Sequence, residues 1–382
     1  MSMQQTVVII GGGVAGLACA QTLHAAGVPF TLITEDIGGR IIENSTHLVN
    51  YGAYYITADY KHVQRLVKRR RRITIFNFAF HHPGQTYQLA SLRGLRYLPQ
   101  LLRFRHQLQV FRRHLRRFRQ AALTEEQSAL LQQDPYFWPL IQQSASDFIQ
   151  QHKLTELFKD FIAEALYATD FVGIHRIQAF DLLWLVQPLI TRTYEYSFNP
   201  TQVVRPFKHQ ILRDTVTAIT PQSSGYRLMT MRHHTIEASY VVLAVPTPGM
   251  QQLLHTTDGK QPVNAYMYHL RGTPRPDYTH ARYHVFEDAG RLCTIAKQTD
   301  GSYLVYASQP IDDLAELFTD DQLITSRVWK PAFNVIGKSL TKQKRDNGLY
   351  VAGEHNICTL EDSYITGVYA ANQIIQQLHS HH

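Results

Sequence analysis

The chain opens with four apolar residues in a row, Val7-Val8-Ile9-Ile10, the pattern of a strand buried on both faces. A glycine-rich stretch follows at once, Gly11-Gly12-Gly13-Val14-Ala15-Gly16. Leu17 to Ala26 then reads as a helix, Gly27 ends it, and Phe30-Thr31-Leu32-Ile33 reads as the next strand. Between about 85 and 198 the period changes from strand to helix. After Pro99, Leu101, Phe104, Leu108, Phe111, Leu115, Phe118 and Ala122 recur at spacings of three and four, so they share one helical face. Thr124-Glu125-Glu126-Gln127 has the form of a capping box, and Ser146-Asp147-Phe148 predicts another helix start.

The first strand, glycine turn, helix and second strand give the GxGxxG pattern the context it needs for binding a dinucleotide. Gly11 makes the tight turn, Gly13 lets a pyrophosphate reach the backbone, and Gly16 lets the helix pack closely on the strand. Val14 and Ala15 lie within this cofactor-binding stretch, and the N-terminus of the helix that follows offers its N–H groups and positive dipole end to the phosphates. An acidic residue after the second strand binds the adenosine ribose in such folds. Thr34-Glu35-Asp36 offers Glu35, with Asp36 as the alternative and a solvated loop carboxylate as the plain one.

Gly38-Gly39-Arg40 comes soon after. With the first motif it resembles the N-terminal signature of the flavin amine oxidase and phytoene desaturase superfamily. This sequence departs from that signature by placing Thr34 where the ribose-binding Glu usually sits and by a loop about two residues shorter. Three further segments match in order. Asn50-Tyr51-Gly52-Ala53-Tyr54-Tyr55 resembles the turn beside the flavin. Thr215 to Pro246 resembles the returning meander, in which the backbone at Val216 pairs with adenine. Gly348 to Glu354 resembles the C-terminal FAD motif, with Gly353 and Glu354 at the phosphate–ribityl portion. Tyr364-Ile365-Thr366-Gly367-Val368 is expected to begin a helix whose N-terminus faces the flavin N1–O2 edge.

The resemblance implies an α/β fold: a Rossmann-like, two-dinucleotide-fold FAD-binding domain with an inserted, largely helical substrate domain and an additional mixed-sheet substrate region. FAD-binding parts are expected at 1–84, 199–250 and 335–382, a helical cap at 85–198 and a substrate sheet at 251–334. It further implies an FAD-dependent oxidoreductase that oxidises an amine or a hydrophobic substrate by hydride transfer to flavin N5. A desaturase or isomerase on a membrane-held lipid or polyene, and a flavin-binding interaction protein with vestigial catalysis, are the alternatives. Arg40 would add a positive fork for the pyrophosphate. Tyr364 and Phe333 would form an aromatic cage before the flavin, Tyr364 otherwise being a core tyrosine. The segment Ala265 to Arg271 lacks the lysine many relatives place near N5, leaving His269 or Arg271 as substitutes. Trp184, Tyr194 and Tyr196 are expected in the substrate wall. No cysteine has the glycine-cysteine context that tethers flavin in some oxidases, so FAD is expected to be non-covalent.

Composition changes this picture little. The 382 residues are 44% hydrophobic and 18% charged, ordinary for a globular protein and contrary to disorder. Cys19, Cys293 and Cys358 are far apart, which suits a reducing compartment and a cytoplasmic location. The histidines, including His81-His82, His233-His234 and His379, His381 and His382, lack metal-ligand spacing, and no metal is expected. No apolar run reaches the length of a membrane span. Charge matters more. Residues 60–124 hold 16 Lys/Arg and no Asp/Glu, whereas the rest carries 22 basic and 30 acidic residues. This basic stretch includes Lys68 to Arg72 and seven arginines between Arg103 and Arg119. It reads as an ordinary helix with a solvated back, or as a peripheral contact with anionic membrane; nucleic acid is the less favoured partner, since no reading motif accompanies the charge.

Overall fold

A computed structural model of the protein describes residues 6–44, 46, 49–82, 85–87, 96–287 and 290–380. Its framework elements are β1 (Val7–Gly12), α1 (Val14–Ala25), β2 (Thr31–Ile37), α2 (Leu98–Ala121), β3 (Ile211–Leu212), β4 (Tyr240–Leu243), β5 (Leu349–Val351) and α3 (Leu360–Ser380). The five strands form one parallel sheet in the order β3-β2-β1-β4-β5. Because its strands are covered on both faces, they can be apolar throughout, and Val7, Val8, Ile9 and Val241 to Leu243 are fully buried. α1 and α3 cover one face. Gly367 permits their close approach, since a Cβ there would run into the Ala15 carbonyl. The meander Val216–Gln222, Gly225–Thr230 and Thr235–Ala238 lies on the chain path between β3 and β4.

A seven-stranded mixed sheet holds Phe318–Ile336, Gln261–Pro274, Tyr303–Ala307, Leu292–Lys297, Tyr283–Phe286, Phe78–His82 and Gln85–Tyr87, in that spatial order. Phe78–His82 pairs parallel with Tyr283–Phe286. Phe78–His82, within the expected 1–84 part, thus joins the mixed sheet, and the boundary residue Gly84 itself lies outside the described residues. The same sheet runs through Ile336, two residues beyond the expected 251–334 region. The cap is helical from 98 to 185, but Thr193–Phe198 is a strand between Ile56–Thr57 and Val67–Ile73. Aromatic and polar residues alternate along it, and the polar Thr193 and Glu195 are buried as well as Tyr196 and Phe198.

α2 carries the basic stretch. Phe104, Leu108, Phe111, Leu115 and Phe118 are all buried and share a core with the other cap helices, including Phe137 and Phe180. The apolar stripe is therefore core. Arg103, Arg105, Arg113, Arg116 and Arg117 are exposed, but Arg119 is not. Its guanidinium is buried and holds both oxygens of Asp362 on α3, at 3.1 and 2.6 Å. Lys68 to Arg72 is an edge strand, not a loose block; Arg70 pairs with Glu43 and Arg71 with Glu195.

Two helix starts differ from the sequence reading. The helix Gln127–Gln133 begins two residues later than a Thr124 cap would place it, with Glu126 at the N-cap position; the Thr124 hydroxyl donates to the Ala121 carbonyl instead. Glu126 instead accepts from the Gln343 and Lys344 amides, which gives its carboxylate a tertiary partner. The next helix is capped by Ser144 rather than Ser146. Ser144 starts the helix Ala145–Gln151 by accepting from the Asp147 amide at 3.0 Å.

Candidate functional site

Gly13 ends the turn and caps α1 in extended conformation, with no side chain on the first-turn amides and no acid in that turn. The dipole end of the helix is therefore open to an anion. The three glycines differ in what they face. A Cβ on Gly11 would strike the Ala244 carbonyl, and one on Gly16 the Gly11 carbonyl, so both serve backbone packing. A Cβ on Gly13 would meet only the Cα of Gly39, at 3.9 Å, so Gly13 faces open space. Gly38 and Gly39 both have positive φ, at 115° and 61°, which favours glycine and lets the second turn close over the first.

These turns form one end of a cavity of about 790 Å³, within the roughly 300–1,000 Å³ of ligand and cofactor sites. Gly11, Gly13, Val14, Ala15, Glu35, Gly38, Gly39, Arg40, Gly52, Ala53, Val216, Gly353 and Glu354 all line it. Gly16 does not, in keeping with its packing role. Asp36, Asp214 and Thr215 stand at the same end, and Glu35 accepts from the Thr215 hydroxyl. Thr34 holds the first turn against the end of β2. Its hydroxyl accepts from the Gly12 amide at 2.9 Å and donates to the Asp36 carbonyl at 2.7 Å. A carboxylate there could accept the first bond but not donate the second. Arg40 is not a free fork. It bonds the Ala332 carbonyl at 2.7 Å and pairs with Glu354, and Glu354 also takes the Asn334 amide at 2.6 Å.

The cavity continues between the cap and the seven-stranded sheet. Phe80, Ile162, Leu166, Phe171, Trp184 and Tyr306 line this part, with Trp329 to Phe333 along one side. Phe333 lies in the wall, 6.0 Å between ring centroids from Phe171. Tyr364 does not. α3 starts at Leu360, so Tyr364 sits a full turn inside the helix, buried, with its hydroxyl on Gln21 of α1 and its ring stacked on His62. Ile365 and Val368 likewise pack in the core, and the helix presents Thr359, Leu360 and Ser363 to the cavity instead. The correct start was legible: Thr359-Leu360-Glu361-Asp362 is a capping box, and Thr359 accepts from the Asp362 amide at 3.0 Å. His269 is also outside the cavity. It is buried in the sheet, 2.9 Å from the Tyr51 hydroxyl and 2.8 Å from that of Ser302. Of the cap aromatics, Trp184 lines the cavity. Tyr196 bonds the Ala53 carbonyl, and Tyr194 lies under Arg69.

Sequence reasoning passed over Cys358, Lys330 and Tyr306, all in the wall. The Cys358 thiol donates to Glu354 at 3.0 Å; burial and the adjacent carboxylate push its pKa well above the usual thiol range. The Tyr306 hydroxyl donates to the Tyr51 carbonyl at 3.0 Å.

Residues 9–70 match the model of an NAD(P)-binding Rossmann-like domain. Solved structures match along nearly the whole chain. A fatty acid isomerase from P. acnes is 13% identical, with a TM-score of 0.70 over 98% of this chain and 99% of that one. A putrescine oxidase bound to putrescine is 13% identical, with a TM-score of 0.69 over 98% and 99%. A cyclohexylamine oxidase from Brevibacterium oxydans is 14% identical, with a TM-score of 0.67 over 98% and 99%. No curated protein matches by sequence. The chain thus has the fold of these three solved structures, and its residues 9–70 match a Rossmann-like dinucleotide domain.

Proposed function

We propose that the protein is an FAD-dependent oxidoreductase acting on a hydrophobic substrate, with FAD held non-covalently. The carrying observation is one cavity that joins a glycine cradle at a helix N-terminus to an aromatic, apolar chamber. The donor set fits the group. Gly13 and Gly39 leave the backbone bare, the α1 amides would receive the anionic oxygens, and Glu35 stands at the end where an adenosine ribose would lie. Bound flavin supplies the hydride acceptor; the chain's own part is to position substrate against it and to keep water out. Phe80, Phe171, Trp184 and Phe333 do this by shape and burial.

The chamber favours an apolar substrate over an amine. Its acidic lining residues are Glu35, Asp36 and Asp214 on the dinucleotide domain, and Glu354, which is engaged by Arg40. An alkylammonium in the chamber would meet no free carboxylate among the described residues. Lys330 is the cation of that wall and would suit a substrate carrying an anionic end. The neighbouring fold is compatible with both classes, since one relative binds putrescine and another is a fatty acid isomerase. Non-covalent attachment rests on Cys358, whose thiol is kept protonated beside Glu354.

The test uses purified protein. It should be yellow and release unmodified FAD on heating. Anaerobic addition of long-chain unsaturated carboxylates should bleach the flavin, or convert the lipid without net bleaching if the reaction is an isomerisation. Bleaching by putrescine or cyclohexylamine, with none of these lipid effects, would overturn the substrate class. Flavin that stays attached through denaturation would overturn the non-covalent claim.

A further inference from the structure

On the two neighbouring strands whose Phe78, Phe80, Tyr283 and Val285 line the cavity, the alternate face brings together three histidines that are distant in sequence. His81 lies in the strand Phe78–His82, and His284 lies in its parallel neighbour Tyr283–Phe286. His280 stands in the turn leading into that neighbour. One ring nitrogen from each lies within 4.8 Å of the others. We propose that His81, His280 and His284 form a site for a divalent transition metal of the zinc class, separate from the flavin cavity, that fastens the 276–282 turn to the sheet edge.

The rings are already set for this. His81 is opposite Phe286 in register and stacks on its ring at 4.7 Å between centroids, so its direction is fixed. His284 is on the same face two residues before Phe286, as the strand period requires. His284 Nε2 lies 3.2 Å from the Ala281 carbonyl, and the proton belongs on that nitrogen, leaving a lone pair on Nδ1. Metal-binding imidazoles are usually held in this way, with the far N–H on a carbonyl. His81 Nε2 lies 2.8 Å from that His284 Nδ1, and His81 Nδ1 lies 3.2 Å from the Thr86 hydroxyl. A change of His81 tautomer lets Nδ1 donate to Thr86 and frees Nε2. Both nitrogens are then acceptors facing the same gap. Tetrahedral ligands at Zn–N distances of 2.0–2.1 Å stand about 3.3 Å apart, so the pair need open by only about half an ångström. His280 is exposed and completes three nitrogens, leaving a fourth position to water. Ligand spacing along the chain does not reveal the group, because about 200 residues separate His81 from the other two and only strand pairing brings them together.

The experiment titrates Zn²⁺ and Co²⁺ into the full chain in which His379, His381 and His382 are replaced by Ala, to remove tail binding. One ion per chain should bind, Co²⁺ should give the intense visible bands of a tetrahedral site, and Zn²⁺ should raise the melting temperature. His280→Ala, an exposed position that leaves the fold alone, should weaken Zn²⁺ binding at least tenfold and abolish the melting shift, with flavin content unchanged. His81→Gln should do the same from the sheet side. Zn²⁺ affinity equal in the His280→Ala chain and its parent, or Co²⁺ spectra of an octahedral ion only, would overturn the site. Neither outcome bears on the flavin reading, which is scored separately by flavin content and bleaching.

Discussion

At the residue scale, the glycines of the first turn separate folding from binding. Gly13→Val projects a branched side chain into open space where a pyrophosphate would lie. We expect a folded chain with an unchanged melting curve in the absence of flavin and no retained FAD. Gly16→Val, which drives a side chain into the Gly11 carbonyl, should instead yield little soluble protein. Equal flavin content in wild type and Gly13→Val, measured on released cofactor, would refute the assignment. Asp170 offers a second test at this scale. It is fully buried at the end of a cap helix, and burial pushes its carboxyl well above the usual 3.8, with nearby Asp181 adding to the rise. A carboxyl raised in the folded state contributes its stability below its unfolded pKa and loses it as pH rises through the folded value. Asp170→Asn keeps the shape and removes the charge. Its melting temperature should match wild type at pH 3 and exceed it increasingly above pH 4; a constant difference across that range would contradict the buried ionisation.

At the scale of elements, α2 shows how one helix meets two demands. Its apolar stripe is spaced for the cap core, and Phe111 at 0% exposure touches both Phe137 and Phe180. Phe111→Ser should destabilise the fold by at least about 3–5 kcal/mol, the range for Phe→Ala in cores, because a cavity and an unpaired hydroxyl are added together. Denaturant midpoints would measure this, and a loss below about 1 kcal/mol would mean that the helix can be shed without cost. Periodicity alone located that stripe. It did not separate Arg119 from the arginines around it. Its position on the helix brings it over α3, where a buried guanidinium is tolerable only with the paired oxygens of Asp362. α3 shows the reverse case. Reading its start from the family offset put Tyr364 at the flavin, whereas the Thr359 cap begins the helix at Leu360 and turns Tyr364 toward α1.

At the scale of the whole molecule, the charge imbalance becomes a surface. Arg112 and Arg116 share Asp59, Arg119 is buried, and Arg103, Arg105, Arg113 and Arg117 remain exposed on one helix. We propose that attraction to anionic membrane, if measured, is electrostatic and comes from these four. Binding to phosphatidylserine vesicles should fall on their charge reversal and disappear at 1 M salt, where the Debye length is about 3 Å. Salt-resistant binding would show that apolar insertion is involved, for which Leu98 and Leu102, exposed at the N-terminal end of α2, are the groups to change. No helix among the described residues is long and apolar enough to cross a membrane.

The sequence by itself determined the dinucleotide half of this protein, because its signals are local. A glycine turn between a buried strand and a helix depends on backbone conformation and near neighbours, so Gly11, Gly13, Gly39 and Val216 are placed by the order of residues along the chain. Strands β1 and β2 of the parallel sheet followed from their apolar runs and the α2 core face from spacing, whereas the short β3 has no such run of its own. Only the tertiary structure decided which distant side chains meet. It withdrew Tyr364 and His269 from the cavity, supplied Cys358, Lys330 and Tyr306 to it, and tied Arg40 to Glu354. It also brought His81 beside His284 through strand pairing across some 200 residues. Such contacts depend on strand order and helix rotation, and a change of one residue in register or of a quarter turn in a helix moves a side chain from the site to the core.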